Sequence, residues 1–278
     1  MRGCSCRGTS GFAHVSCLAE QAKILMDEAE ENNLGVKVMN QRWARWYACS
    51  LCEQNYHGAV CGALGWACWK TYVGRPETDE FRSCAMNRLG SGLYEVKLYE
   101  EALAVKEAEL SVLLRNGAPE DHLLIAQGNI AGTYRALGRL EEALRMRRDL
   151  YSECVRIHGK ESHETLVEAI SYANALIDLK RFKEARSLMR EAVPVARRIL
   201  GESQEHTLRI RTNYARSLCS GDGAPLDDLR EAVTTLEDVG RIARRVLGGA
   251  HPLTVDIEHV LQKARAALRA RETPSGSA

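Results

Sequence analysis

The stretch that decides the fold is residues 129–143, which read NIAGTYRALGRLEEA. Gly138 separates two segments rich in helix-forming residues, and glycine favours the backbone conformations that end a helix. We predict one helix over 123–137 and a second over 140–157. The small side chain of Ala131 would let the two helices approach closely, so the stretch predicts a pair of packed helices.

The same pattern returns along the chain at a period of about 42 residues. A glutamate followed by alanine recurs with steps of 41, 42 and 47 residues, at Ala102, Ala143, Ala185 and Ala232. A small residue of the preceding helix keeps a step of 42 residues, at Ala131, Ala173 and Ala215. Because one such pair cannot bury its apolar face alone, this period predicts a stack of helix pairs. We expect four pairs over residues 79–271, closed by a capping helix.

A glycine loop precedes each new pair and is followed by a threonine. The loops and threonines are Gly159 with Thr165, Gly201 with Thr207, and Gly248 with Thr254. A threonine hydroxyl at the N-cap accepts a hydrogen bond from an unpaired backbone N–H of the first turn. We therefore predict that these threonines cap the helices that follow.

These features resemble tetratricopeptide repeats of the kinesin light chain type. The resemblance rests on residues 129–143, the 42-residue step and the glycine loops, and it covers about two thirds of the chain. It implies an all-α, tetratricopeptide-like repeat superhelix with a groove that holds a partner protein or peptide. In that family asparagines of the groove hydrogen-bond the peptide backbone, and Asn129 and Asn213 occupy matching positions, whereas Ser171 interrupts the row. The alternative is that both asparagines satisfy helix ends or solvent.

The cysteines point to a separate feature at the N-terminus. The chain has ten cysteines, and eight of them lie in residues 1–84. Zinc binds four thiolate or imidazole ligands in a tetrahedron, so close pairs of such residues suit it. The pairs are Cys4 with Cys6, His14 with Cys17, and Cys49 with Cys52. We expect structural zinc, and the alternative is that these cysteines are thiols of a helical protein.

The series resembles a RING-CH zinc finger that lacks its first ligand pair, over residues 4–57. The resemblance implies one complete Zn²⁺ site from two of the pairs and half of a second site from the third. The complete site would use Cys4, Cys6, Cys49 and Cys52, and the half site would use His14 and Cys17. Because the first pair is missing, we expect the natural protein to begin further upstream.

Such fingers recruit a ubiquitin-conjugating enzyme and promote ubiquitin transfer without supplying a nucleophile. The recruiting surface is built partly around the first ligand pair, which is the pair this chain lacks. The resemblance therefore makes a ubiquitin ligase of the RING type the alternative function. The leading prediction is a non-enzymatic adaptor that binds zinc and whose repeats bind a partner peptide.

The remaining segments carry fewer signals. The apolar residues after Cys17 predict a helix through about residue 31. Residues 58–78 are rich in small and aromatic residues, and we interpret them as a packing segment between finger and repeats, with a partner-binding patch as the alternative. Residues 272–278 are expected to form a disordered tail.

Composition limits the partners and the compartment. The net charge is only +1, so nucleic acid is not an expected partner. The longest apolar run, 58–69, is shorter than the ~20 residues that span a bilayer, so we expect no membrane insertion. An export signal is absent from the first residues. Paired cysteines then fit a reducing compartment, and we predict a cytoplasmic protein, with the nucleus as the alternative.

Overall fold

A computed structural model describes residues 14–221 and 223–272. Over these residues the chain is helical, and the extended backbone is limited to one bridge between Ala48 and Asn55. The all-α prediction is therefore confirmed for the described part. None of the described helices is both long enough and apolar enough to cross a bilayer. The chain divides into two compact units, Met1–Arg139 and Leu140–Ala278.

The first unit contains six α-helices within its described residues. They are α1 (Val15–Glu31), α2 (Val36–Trp43), α3 (Gly58–Tyr72), α4 (Glu80–Glu95), α5 (Tyr99–Arg115) and α6 (Glu120–Ala136), with a short 3₁₀ turn at Ala44–Trp46. The helix predicted after Cys17 is α1, which ends where it was expected. Residues 58–72, which the sequence left without an assigned helix, form α3.

Helices α3 and α4 pack with their backbones in close approach, and glycines make this possible. A Cβ atom on Gly65 would lie 2.7 Å from the carbonyl oxygen of Arg88, and one on Gly92 would lie 2.9 Å from that of Cys61. These backbone atoms leave no space for a methyl group. The glycines that weaken the sequence signal for α3 are therefore the residues that let it pack against α4.

An aromatic cluster joins α2 and the 3₁₀ turn to α3 and α4. The ring of Tyr72 lies 5.3 Å from Trp43, 6.1 Å from Trp46 and 6.2 Å from Phe81, measured between centroids. Tyr72 and Trp46 are almost completely buried. Aromatic pairs at these separations stabilise a core beyond the area that they bury. The residues after α1 are thus part of the core of the first unit.

The second unit contains six α-helices within its described residues. Its helices are α7 (Leu140–His158), α8 (His163–Asp178), α9 (Phe182–Ile199), α10 (Glu205–Cys219), α11 (Leu226–Val246) and α12 (Pro252–Glu272). The start of α7, together with the end of α6, confirms the two helices predicted around Gly138. The core contains large apolar side chains between consecutive helices, including Leu166, Met189, Leu208, Leu236 and Ile257.

Three helices end in the same way at the same place in the repeat. Residues Lys97, Gly138 and Lys180 have φ of +66°, +76° and +59°, so each lies in the left-handed region. The next residue then donates its N–H to a carbonyl five positions earlier, as Arg139 does to Tyr134 at 2.9 Å. This is the Schellman arrangement, which satisfies the last carbonyls of a helix.

The predicted threonine caps are wrong. The N-cap of α8 is Ser162, whose Oγ accepts a hydrogen bond from the N–H of Thr165 at 3.0 Å. Thr165 lies inside the first turn, and its Oγ1 donates to the carbonyl of Gly159 at 2.7 Å. Thr207 similarly donates to the carbonyl of Ala196 at 3.3 Å. These two threonines tie their helices back to the preceding loop or helix, and other residues cap them.

Candidate functional site

The described part of the predicted zinc module contains a tight turn at Cys49 to Cys52. The N–H of Cys49 donates to the carbonyl of Gln54 at 2.9 Å, and Glu53 closes the turn with a φ of +57°. The N–H of Leu51 lies 3.5 Å from the Sγ of Cys49 and donates to it. A backbone donor at this position would stabilise a thiolate there. The turn therefore presents both sulfur positions from one short loop.

The second predicted pair lies at the start of α1. His14 is the residue before the helix and Cys17 is in its first turn, with 3.9 Å between Nδ1 and Sγ. Both side chains are exposed. Val15 and Leu18, from the same turn, pack against the cluster that contains Cys49 and Cys52. The beginning of α1 thus lies beside the cysteine turn.

The other two predicted ligands, Cys4 and Cys6, lie outside the described residues. The predicted four-ligand set therefore has two members in the described structure. Among residues 14–221 and 223–272, no three histidine, cysteine or acidic side chains are grouped so that they could hold a metal ion. Cys68 is fully buried, and burial raises the pKa of its thiol, as expected of a core residue. Burial also raises the pKa of Cys61, which is partly exposed.

The predicted groove residue of the first unit, Asn129, lies on α6 beside a buried polar cluster. Its carbonyl oxygen accepts hydrogen bonds from Lys106 Nζ at 3.3 Å and from Thr133 Oγ1 at 2.9 Å. The ammonium of Lys106 also donates to Thr133 Oγ1 at 2.8 Å and lies 4.8 Å from the centre of the Tyr94 ring. Lys106 therefore reaches from α5 to the backbone of α6.

Burial perturbs two charged groups of this cluster. It lowers the pKa of Lys106 to about 8 and raises the pKa of Glu109 to about 7. Glu109 accepts hydrogen bonds from Asn87 Nδ2 at 3.1 and 3.4 Å, which stabilise its charged form and partly offset the effect of burial. Each of the two charged residues is only 5% exposed. Because solvent hardly reaches either side chain, we interpret the two residues as part of the packing between helices rather than as a reactive site.

The predicted groove residue of the second unit, Asn213, is 4% exposed. Its Nδ2 donates to Oδ1 of Asn174 on α8 at 2.9 Å, so the two amides join the first helices of consecutive pairs. Ser171, one turn before Asn174, donates its Oγ–H to the carbonyl of Val167 at 3.3 Å. The polar row continues across α8 and α10, with Asn174 in addition to the predicted position.

Arginines beside this row are paired with carboxylates. Arg209 donates to Glu205 at 2.7 Å, and Arg216 donates to Asp256 on α12 at 2.6 Å. Arg211 is 8% exposed and lies between Glu202 and Asp238, at 3.3 and 2.6 Å. Because their charges are compensated, these arginines do not form a positively charged surface. The partly exposed groups of this row are the hydroxyl of Ser171 and the amide of Asn174 on α8, which carry no charge.

Sequence reasoning missed Asn174 and Arg88. Asn174 could have been found because it lies one helical turn after Ser171, the position that interrupts the predicted row. Arg88 lies 41 residues before Asn129, in the register that also aligns Gly90 with the small residue Ala131. Its guanidinium lies 4.8 Å from the centre of the Tyr47 ring and donates to Asn87 Oδ1 at 2.6 Å.

Comparison with known proteins supports the repeat fold. A tetratricopeptide repeat family model matches residues 123–164 and 173–211. A crystal structure of a single-site variant of a Podosopora anserina protein, described as a kinesin light chain with nearly identical TPR-like repeats, is 21% identical. It aligns with a TM-score of 0.57 over 69% of this chain and 88% of that one. A second crystal structure of that protein aligns with a TM-score of 0.56 at 20% identity, over 71% and 90% of the two chains.

A curated relative matches a shorter part of the chain. Suppressor of tumorigenicity 7 protein-like, from Danio rerio, is 29% identical over 103 residues, which is 36% of this chain. The chain spans 19% of the length of that relative. The family model and the solved structures together show that the helix pairs are tetratricopeptide-like repeats. Repeats of this kind form extended surfaces that bind other proteins.

Proposed function

We propose that this protein is a non-enzymatic adaptor whose repeats hold an extended segment of a partner protein. The observation that carries the proposal is the polar row formed by Ser171 and Asn174 on α8 and Asn213 on α10. The Asn213–Asn174 hydrogen bond uses one donor and one acceptor of the two amides. Asn213 is nearly buried, and its hydrogen bond holds the Asn174 amide in place. The partly exposed amide of Asn174 and hydroxyl of Ser171 have further donor and acceptor capacity, which matches the N–H and C=O groups of an extended peptide.

The surroundings of the row support a peptide rather than a strongly charged ligand. The adjacent arginines, Arg209 and Arg216, are each paired with a carboxylate. An acidic partner would have to compete with these ion pairs, whereas a peptide backbone would not. We therefore expect that backbone hydrogen bonds provide most of the affinity and that sequence preference is modest.

The test is a selection of peptides from a random display library on the full chain, followed by affinity measurement on two variants. Ser171→Arg places a bulky side chain in the row, and Ser152→Arg makes the same change on the exposed side of α7. We expect the selected peptides to bind Ser171→Arg at least tenfold more weakly than the unaltered protein and to bind Ser152→Arg unchanged. Equal affinity for both variants would place the binding surface elsewhere.

We propose further that the N-terminal segment binds one structural zinc ion through Cys4, Cys6, Cys49 and Cys52. The support is the short turn at Cys49, with the Leu51 N–H directed at its sulfur, and the packing of the first turn of α1 beside it. Metal analysis of the purified chain should find about one zinc per molecule. Cys49→Ser should lose it, whereas Cys219→Ser in the second unit should retain it. Zinc content that is equal in both variants would contradict this assignment.

The ligase alternative depends on the same zinc and can be tested separately. A zinc-loaded chain would be incubated with ubiquitin, activating enzyme and a panel of conjugating enzymes. Ubiquitin chains that form with the unaltered protein and disappear with Cys49→Ser would favour the ligase. A folded, zinc-loaded protein without such activity supports the adaptor, which is the function we propose.

A further inference from the structure

Two histidines from consecutive repeats meet at one end of the second unit. His163 is the first residue of α8 and His206 is the second residue of α10. Nε2 of His163 lies 3.2 Å from Nδ1 of His206, and the ring centroids are 4.9 Å apart at an interplanar angle of 68°. The two residues are 43 positions apart in the chain and belong to different helix pairs. Neither contributes to the polar row described above.

The separation of the two nitrogens fits a shared metal ion. Zinc binds imidazole nitrogen at ~2.0–2.1 Å, so two such nitrogens at tetrahedral angles are about 3.3 Å apart. The observed 3.2 Å is close to this value. If the two nitrogens pointed directly at each other, the ring centroids would be farther apart than the observed 4.9 Å. The rings are therefore bent relative to each other, as rings directed at one ion would be.

A neutral imidazole is the form that binds metal, through the ring nitrogen that carries no proton. The nitrogens that face each other are Nε2 of His163 and Nδ1 of His206. A shared ion would therefore require the tautomers with protons on Nδ1 of His163 and on Nε2 of His206.

The charges around the pair are mixed. The two helix N-termini disfavour a cation, because the backbone dipoles place partial positive charge there. The first turns carry Glu164 and Glu205, which offset this effect. Glu205 is hydrogen-bonded to Arg209 and is therefore not available as a ready third ligand. The protein would supply two nitrogen ligands, and water would complete the coordination shell.

We propose that His163 and His206 form a two-histidine site for a divalent transition metal such as Zn²⁺, which joins α8 to α10. His163 is exposed and His206 is partly exposed, so the ion can enter from solvent. With two protein ligands the affinity would be modest and the binding reversible. The ion would fix the relative position of two first helices that carry the proposed peptide-binding row, at one end of that row.

The test is amide hydrogen exchange of the full chain with and without Zn²⁺, read in peptides that cover 163–170 and 205–212. Zinc at ten times its dissociation constant should suppress local opening and slow exchange there by about tenfold. His163→Ala and His206→Ala should each abolish this protection. His259→Ala, on α12, should retain it because that residue lies outside the pair.

Zinc bound by the N-terminal cysteines would be common to all four proteins and would change exchange in other peptides, those of the first unit. Equal protection of 163–170 and 205–212 in the unaltered chain and in His163→Ala would overturn the proposal. So would unchanged exchange at 163–170 in the unaltered chain at millimolar zinc. Circular dichroism of each variant would show that loss of protection does not reflect loss of folding.

Discussion

The guanidinium of Arg75 donates hydrogen bonds to both carboxylate oxygens of Glu30, at 2.7 and 2.8 Å. The same guanidinium lies 4.6 Å from the centre of the Tyr72 ring. Arg75 follows α3 and Glu30 is near the end of α1, so this contact ties α1 to the loop after α3. The segment next to the cysteine turn is thereby held in the fold of the first unit.

Arg75→Ala should destabilise the first unit by about 1–2 kcal/mol, because it removes a charge-assisted pair of hydrogen bonds and a ring contact. All four tryptophans of the chain lie in this unit, at Trp43, Trp46, Trp66 and Trp69. Urea unfolding followed by tryptophan fluorescence therefore reports on it. Arg115→Ala removes a more exposed pair with Glu77 and should cost less than about 0.5 kcal/mol. Equal losses of unfolding free energy in the two variants would show that the contacts of Arg75 stabilise the first unit no more than an exposed ion pair does.

Gly65→Ala should also destabilise the first unit, by roughly 1–3 kcal/mol, because its methyl group would meet the backbone carbonyl of Arg88. The two helices would have to separate to admit it. Gly74→Ala is the matched control, since no atom lies within 4 Å of its added Cβ. The same fluorescence measurement would compare them. If Gly65→Ala left the free energy of unfolding unchanged, α3 and α4 would have to be farther apart than described.

The raised pKa of Glu109 predicts a specific pH dependence. In the folded protein this carboxyl holds its proton up to about pH 7, whereas in the unfolded chain it loses the proton near 4.5. The folded state therefore binds more protons between these values, and its stability falls as the pH rises through that window. Between about pH 4.5 and pH 7 we expect the free energy of unfolding to fall by about 1–3 kcal/mol because of this group, since each pKa unit corresponds to ~1.4 kcal/mol.

Glu109→Gln should remove the fall in unfolding free energy between about pH 5 and pH 7, as measured by urea unfolding of the first unit. The exposed Glu101→Gln should leave it in place. Lys106 does not interfere, because its lowered pKa of about 8 affects stability only at higher pH. There the unfolded chain binds the extra proton, so stability rises with pH. If the unfolding free energy of Glu109→Gln fell with pH as in the unaltered protein, the pH dependence would come from other groups.

Ser162→Ala should weaken the start of α8 by about 1 kcal/mol, since the alanine cannot accept the hydrogen bond from the Thr165 N–H. Amide exchange at residue 165 would be the local measurement. Ser152→Ala provides the comparison, because that hydroxyl is exposed and donates within its own helix, to the carbonyl of Arg148. Faster exchange at 165 in the first variant alone is the expected result.

The bounds of helices that belong to the 42-residue repeat were predictable from the sequence to within a few residues. The stretch around Gly138 predicted helices that are now α6 and α7, because the same small and apolar residues recur in each pair. Helix α3 was not predicted, since its glycines lower intrinsic helix propensity. Their contribution comes from close contact with α4, which lies outside any local window. Packing with a distant segment therefore decided this element.

The sequence was also a limited guide to the environment of the polar residues. The repeat register placed Asn213 in the row of first helices, but it did not show that the amide is nearly buried and bonded to Asn174. The threonines after the glycine loops have good cap chemistry, yet a serine three positions before Thr165 takes that role at α8. The ligand pair Cys4 and Cys6 lies outside the described residues, so the zinc module remains a prediction.

The left-handed turns that end α4 and α8 offer a route to a more heat-resistant protein. Lys97 and Lys180 adopt a backbone conformation that glycine occupies at the equivalent Gly138. A side chain in this conformation costs roughly 1 kcal/mol relative to glycine. Lys97→Gly and Lys180→Gly would each relieve that cost in a different unit. An engineer could therefore raise the melting temperature at two positions that belong to none of the proposed ligand sets.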